Sequence, residues 1–179
     1  MTEILCYKDS YLKEFKAEVE YVTEAGVVLD RTVFYPGGGG QPCDKGDIRF
    51  GTESSIVKKI SRDNGRLVHN LIGTIPEVGT QVYGQIDWNY RYQLMRTHTA
   101  LHILCGVVWR DFRAKVTGGD MKPLSARMDF ELDKMSSDFA EEVERLVNQE
   151  IILDRQVEVD HISREEAFSN PDLIRTKIN

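Results

Sequence analysis

Gln81-Val82-Tyr83-Gly84-Gln85-Ile86-Asp87-Trp88-Asn89-Tyr90-Arg91-Tyr92-Gln93-Leu94 is where the spacing of apolar residues changes along this chain. Residues 81–86 read as a short strand. From Tyr90 to about Phe112, the residues Leu94, Leu101, Cys105, Val108 and Phe112 recur at helical spacing. The change puts a domain boundary near residue 88, between a β-rich domain (1–88) and an α/β domain (89–179).

Upstream, Ala17, Val19 and Tyr21 alternate with Glu18 and Glu20. Glu24-Ala25-Gly26 gives a turn, and Val27-Val28-Leu29 restarts an extended run through Tyr35. Further strands are predicted over 47–50, 55–60 and 67–71, with a hairpin at Asp63-Asn64-Gly65, because Asn-Gly tolerates the positive φ of a tight turn. Many short strands joined by glycine turns imply a small barrel or sandwich. Downstream, Gly118-Gly119 reads as a break. Ser125 to Leu132 then alternates, with Ala126, Met128, Phe130 and Leu132 on one face. Phe139, Val143, Leu146, Val147 and Ile151 mark a second helix, with Asp138 and Glu141 spaced as its capping box. Ser163 and Glu166 repeat that spacing before a short third helix that should end near Pro171. The fold class is therefore α+β.

Composition narrows the function classes. The chain is 41% hydrophobic and 29% charged, ordinary for a globular protein. No stretch approaches the roughly 20 apolar residues of a membrane span, and Met1 to Ser10 lacks a secretory pattern. Cytoplasmic residence without a membrane or protein partner is the expectation. Cys6, Cys43 and Cys105 are odd in number and widely spaced, which argues against a disulfide framework. A net charge of −6 argues against a dedicated nucleic-acid-binding domain. Arg91, Arg96, Arg110, Arg113, Lys115 and Lys122 crowd one segment, either as a basic face or as scattered solvated charge.

Two segments carry chemistry. In Arg96-Thr97-His98-Thr99-Ala100-Leu101-His102, the histidines are one helical turn apart and are read as pointing into the apolar face. Two neutral imidazoles at this spacing can share one Zn²⁺; the other reading is a pair of core histidines bonded to backbone carbonyls. No glutamate follows the first histidine, so the metalloprotease pattern is absent. His69 and His161 stand alone. Cys105 fits either a third ligand or a small core residue. The second segment, Gly37-Gly38-Gly39-Gly40-Gln41-Pro42, follows a predicted strand. Glycine N–H groups can form an anion-binding nest, or the run is a flexible connector. It is neither an NTPase phosphate loop nor a dinucleotide fingerprint, since no Gly-Lys-Ser/Thr follows and Pro42 prevents an immediate helix.

Four pieces together carry a resemblance: residues 29–41, residues 96–104, Val116-Thr117-Gly118-Gly119 with Ala126-Arg127-Met128-Asp129-Phe130, and the tail from Ser163 to Thr176. In this order they resemble the editing domain of alanyl-tRNA synthetase and its free-standing AlaX-type relatives, over nearly the whole chain. The glycine-bearing N-terminal domain looks like the medium-length class. The editing domain of threonyl-tRNA synthetase is similar in its HxxxH, but the glycine run favours the alanyl branch.

The resemblance implies a zinc-dependent aminoacyl-tRNA deacylase that hydrolyses tRNA(Ala) mischarged with serine or glycine, with a zinc-bound water as the reacting group. His98 and His102 match the family's first pair of zinc ligands. Gly37, Gly38, Gly39, Gly40 and Gln41 match the substrate loop, with Gln41 toward the terminal adenosine or stabilising the loop. Thr32 matches a threonine suited to the seryl hydroxyl, although it is also an ordinary strand residue. The family's second ligand pair, CxxxH, does not occur before Asn179. The expectation is thus a truncated chain that binds zinc weakly and turns over little. The competing class is a non-catalytic tRNA-binding or interaction module.

Overall fold

The computed structural model describes residues 1–132, 134–170, 172, 173, 175 and 176. β1 (Glu3–Ile4) runs into a 3-10 turn over Leu5–Tyr7, followed by β2 (Glu14–Thr23), β3 (Gly26–Leu29), β4 (Arg31–Thr32), β5 (Gly46–Phe50), β6 (Glu53–Asp63), β7 (Arg66–Ile72) and β8 (Gln81–Ile86). Then come α1 (Trp88–Phe112), β9 (Val116–Lys122), β10 (Ser125–Phe130), α2 (Ser137–Ile152) and α3 (Arg164–Ser169). No helix among the described residues is long and apolar enough to cross a membrane. The chain divides into two compact units within α1. The first holds Met1–Met95 with Lys122–Leu124, and the second begins at Arg96.

In the first unit, β2-β3-β7-β6-β5-β8 close into an antiparallel barrel. Closure leaves no open sheet edge. Alternate residues fill its interior: Phe15, Ala17 and Val19 from β2, Val27 and Leu29 from β3, Ile48, Val57, Ile60, Leu67, Val82 and Ile86 from the others. The Asn64-Gly65 turn forms as predicted, with φ of 47° and 78°. Tyr21 departs from the reading. The β2–β3 register shifts between Val19 and Tyr21, and this bulge turns Tyr21 outward to 47% exposure. The extended run expected through Tyr35 is also broken. The Asp30 carboxylate accepts from the Glu18 N–H at 2.8 Å, and β4 beyond it pairs in parallel with β1 rather than with the barrel.

The second unit packs Val108, Ala114 and Val143 with Leu104, Phe112, Phe130, Leu132, Phe139 and Val147. Phe112 meets Phe139 edge-on at 4.8 Å. Gly118-Gly119 is not a break. β9 runs through it and pairs with β10, because the glycines let β10 approach. A Cβ at Gly118 would lie 3.0 Å from Asp129 Oδ2, and one at Gly119 would lie 3.2 Å from the Arg127 carbonyl oxygen. On β10, Met128 and Phe130 are half-buried, whereas Ala126 is exposed. α2 begins earlier than the predicted box: Ser136 is its N-cap, accepting from the Phe139 N–H at 3.1 Å, and Asp138 sits in the first turn. Ser163 caps α3 as predicted, accepting from the Glu166 N–H. Pro171, expected near its end, lies outside the described residues.

Candidate functional site

The glycine run is a tight hairpin. Gly38 and Gln41 exchange two backbone hydrogen bonds of 3.0 Å, and Gly39 and Gly40 between them take φ of 60° and 82°. Positive φ at both central residues is the signature of a type I′ turn, which glycine enters at no steric cost. A Cβ at Gly39 would meet nothing within 4 Å, so backbone conformation and not packing calls for glycine there. The Tyr35 hydroxyl donates to the Gly38 carbonyl at 3.3 Å.

A buried ion pair fixes both stems of this hairpin. Asp44 is fully buried and Arg91 is 2% exposed. Arg91 Nε donates to Asp44 Oδ1 at 2.8 Å, and its Nη2 also pairs with the same carboxylate. Nη2 further donates to the Val33 carbonyl at 2.7 Å, and Nη1 to the Ser10 carbonyl at 2.9 Å. Asp44 Oδ2 accepts from the Tyr35 N–H at 2.6 Å. Arg91 therefore does not belong to a basic surface. It ties the chain on either side of the glycines to the first turns of α1. Arg110 is likewise engaged, with Asp111 and Glu150. Burial pushes the Cys6 thiol up to about 11, against the nearby Arg91 charge, so it stays protonated.

Thr32, Val33 and Phe34 are all fully buried. The Thr32 hydroxyl meets His69 Nε2 at 2.9 Å and accepts from the Phe34 N–H at 3.1 Å. His69 is buried in β7 with Phe34 edge-on at 5.8 Å. Burial holds its pKa down to about 4, opposed by the backbone of Val27. Its Nδ1 has no hydrogen bond of normal geometry among the described residues. The sequence reading passed over His69 as a lone strand residue. The signal was there: Leu67, His69 and Leu71 alternate, which puts the imidazole on the same side of the strand as two leucines.

The other two histidines belong to the second unit. The His98 and His102 rings stack on α1 with centroids 4.8 Å apart and planes 14° from parallel. Both are exposed, which corrects the inward orientation read from helical periodicity. The buried side of the helix runs through Leu94, Thr97, Val107 and Val108, and the histidines stand beside it. Burial, then the His102 charge, lowers the His98 pKa and favours the neutral form that binds metals. Neutral imidazoles are donors of the kind zinc takes. Among the described residues there is no group of three His, Cys, Asp or Glu side chains that could hold a metal. Cys105 is half-buried beside the Arg175 guanidinium, a neighbour that disfavours a bound cation. His161 lies exposed between α2 and α3.

Known proteins are similar to this chain. The pattern of the family "tRNA synthetases class II (A)" matches residues 3–90. The alanyl-tRNA editing protein AlaX-M of Methanosarcina mazei is 39% identical over 93% of this chain and 70% of its own length. AlaX-M of Saccharolobus solfataricus is 37% identical over 98% of this chain and 75% of its own length. The alanine–tRNA ligase of Pyrococcus furiosus is 37% identical over 93% of this chain, a match that occupies 19% of the ligase. Identity at this level, across nearly all of this chain and most of each AlaX-M protein, means that the chain belongs to the alanyl-tRNA editing family of AlaX-M type.

Proposed function

We propose that this chain hydrolyses tRNA(Ala) mischarged with serine or glycine, with zinc held by His98 and His102. The observation that carries this reading is the stacked, exposed His98–His102 pair in a chain of the alanyl-tRNA editing family. The need for such a reaction follows from pocket physics. A site that selects alanine rejects glycine, one methyl smaller, or serine, one hydroxyl larger, by only about 10- to 200-fold. In the reaction, water adds to the ester carbonyl carbon, the bond to the terminal ribose breaks, and the ribose oxygen leaves with a proton. The imidazole pair would hold a zinc ion, which when bound would supply a Lewis acid for that carbonyl or a water acidified to a pKa of about 7. The Gly39-Gly40 turn, whose stems Arg91 and Asp44 hold, is with Gln41 the proposed loop for the nucleotide end. Thr32 is the proposed reader of the seryl hydroxyl, a role in which its buried hydroxyl would exchange its contact with His69 for the substrate.

Deacylation of seryl- and glycyl-tRNA(Ala), with zinc titrated by calorimetry, tests this. With the two donors that His98 and His102 supply, turnover is expected to require added zinc and to stop with chelator. His98→Ala and His102→Ala are each expected to lower kcat/KM by at least about a hundredfold, since a catalytic metal supplies several kcal/mol of transition-state stabilisation. Binding of tRNA without zinc-dependent turnover would assign the chain to the non-catalytic module instead.

Thr32→Val isolates the specificity reading. The expected result is a loss of about two- to tenfold on the seryl ester, the worth of one hydroxyl contact, and less on the glycyl ester. Equal losses on both, with a lower melting temperature, would make Thr32 the partner of His69 and nothing more.

A further inference from the structure

We propose that Tyr11, Trp88 and Tyr92, together with Lys13, form a stacking platform for an unpaired RNA nucleotide on the first unit. The proposal rests on the reading that the chain acts on tRNA. The Tyr11 and Trp88 ring centroids lie 5.6 Å apart with planes at 46°, and those of Trp88 and Tyr92 lie 5.7 Å apart at 30°. Lys13 Nζ sits 4.8 Å above the Trp88 ring. Trp88 also packs against the barrel core, which accounts for its burial. Core packing does not account for Tyr11 and Tyr92, which are 60% and 43% exposed.

The rings are held in place by the fold itself. Trp88 and Tyr92 are one turn apart on α1. The Tyr11 N–H donates to Asp9 Oδ1 at 2.9 Å, the preceding Ser10 carbonyl accepts from buried Arg91 at 2.9 Å, and the Lys13 carbonyl accepts from the Ile86 N–H at 2.9 Å. A preorganised ladder loses little freedom on binding. Exposed aromatic faces beside an ammonium suit an unpaired nucleotide: the base stacks and the phosphate meets the charge. A duplex hides its base faces and offers the rings nothing to stack on. The net charge of −6 removes any general attraction for RNA, so the local rings and Lys13 must do the selecting.

The test uses the full chain and a short single-stranded oligoadenylate, with a duplex RNA of equal length as comparison. Trp88 and Trp109 are the two tryptophans, so in a Trp109→Phe background Trp88 emission reports on stacking. Anisotropy of labelled oligoadenylate gives the affinity of the unaltered chain independently. The expected results are quenching by the single strand, a loss of affinity of roughly tenfold for each of Tyr11→Ala and Tyr92→Ala, and a salt slope shallower by about 0.7 for Lys13→Met. Melting temperatures should hold, since both tyrosines are exposed. Unchanged affinity in both tyrosine variants, or equal quenching by duplex, overturns the platform. So does self-association that Tyr92→Ala abolishes while RNA affinity is untouched, which would give this face to a second copy of the chain. If the wild type deacylates seryl-tRNA(Ala) and the tyrosine variants match it in KM and RNA affinity, the platform fails alone. If oligoadenylate binds through these rings and no ester is cleaved, the platform stands and the catalytic reading falls.

Discussion

Arg91→Ala is expected to lower the free energy of unfolding by about 3–5 kcal/mol, because it strands the Asp44 carboxylate in a fully buried position. The substitution also frees two buried acceptors, the carbonyls of Val33 and Ser10. Chemical denaturation gives the number. Arg91→Met with Asp44→Leu should recover part of the loss, since removing both charges removes the uncompensated one. A loss below about 1 kcal/mol for Arg91→Ala would show that water reaches Asp44 and that the pair does not organise the loop. Because Arg91 grips both stems of the Gly39-Gly40 turn, on the proposed function any variant that stays folded should lose substrate affinity before it loses affinity for zinc at His98 and His102. The two losses are separable as KM against zinc affinity.

Acid should destabilise the protein through His69. Its ordinary pKa of 6.5 falls to about 4 in the folded state because burial penalises the imidazolium. A depressed folded-state value means that the unfolded chain takes up the proton first. The stabilisation is fully present above pH 6.5 and is lost progressively as pH falls toward 4. The shift corresponds to about 3 kcal/mol over that window. Urea midpoints measured from about pH 7.5 down to about pH 4 would show the slope. His69→Leu should flatten it, at the cost of leaving the Thr32 hydroxyl with one partner fewer. The same slope in His69→Leu would assign the acid sensitivity to other groups.

Much of the architecture was legible because period is a strong signal. The switch at Asp87-Trp88 is the start of α1, and Asn64-Gly65 is the hairpin that its residue types demand. What escaped was whatever depended on distant partners. Gly118-Gly119 reads locally as a break, but its function is to admit a neighbouring strand. Tyr21 is rotated outward by a bulge that the alternation of β2 cannot reveal. Arg91 looks like surface charge until Asp44, 47 residues earlier, is placed against it. The histidine pair shows both sides of this. Its spacing correctly predicted adjacent rings, while its orientation depended on which face α1 buries, and Thr97 took the position that periodicity had given to His98.

The barrel closes by pairing β2 with β8, residue 14 against residue 85 and residue 18 against residue 81. During synthesis the β2–β3 and β6–β7 hairpins can form as soon as they emerge, but the outer edge of β2 has no partner until Ile86 is made. That leaves an unpaired strand exposed for most of the time the domain takes to appear, the situation in which nascent chains pair with one another. β2 carries its own protection for this interval. Glu14, Lys16, Glu18 and Glu20 line the side that stays in water, and a row of charges makes a poor template for a second strand. The alternation that builds the barrel wall thus also guards the nascent chain while the wall is still open.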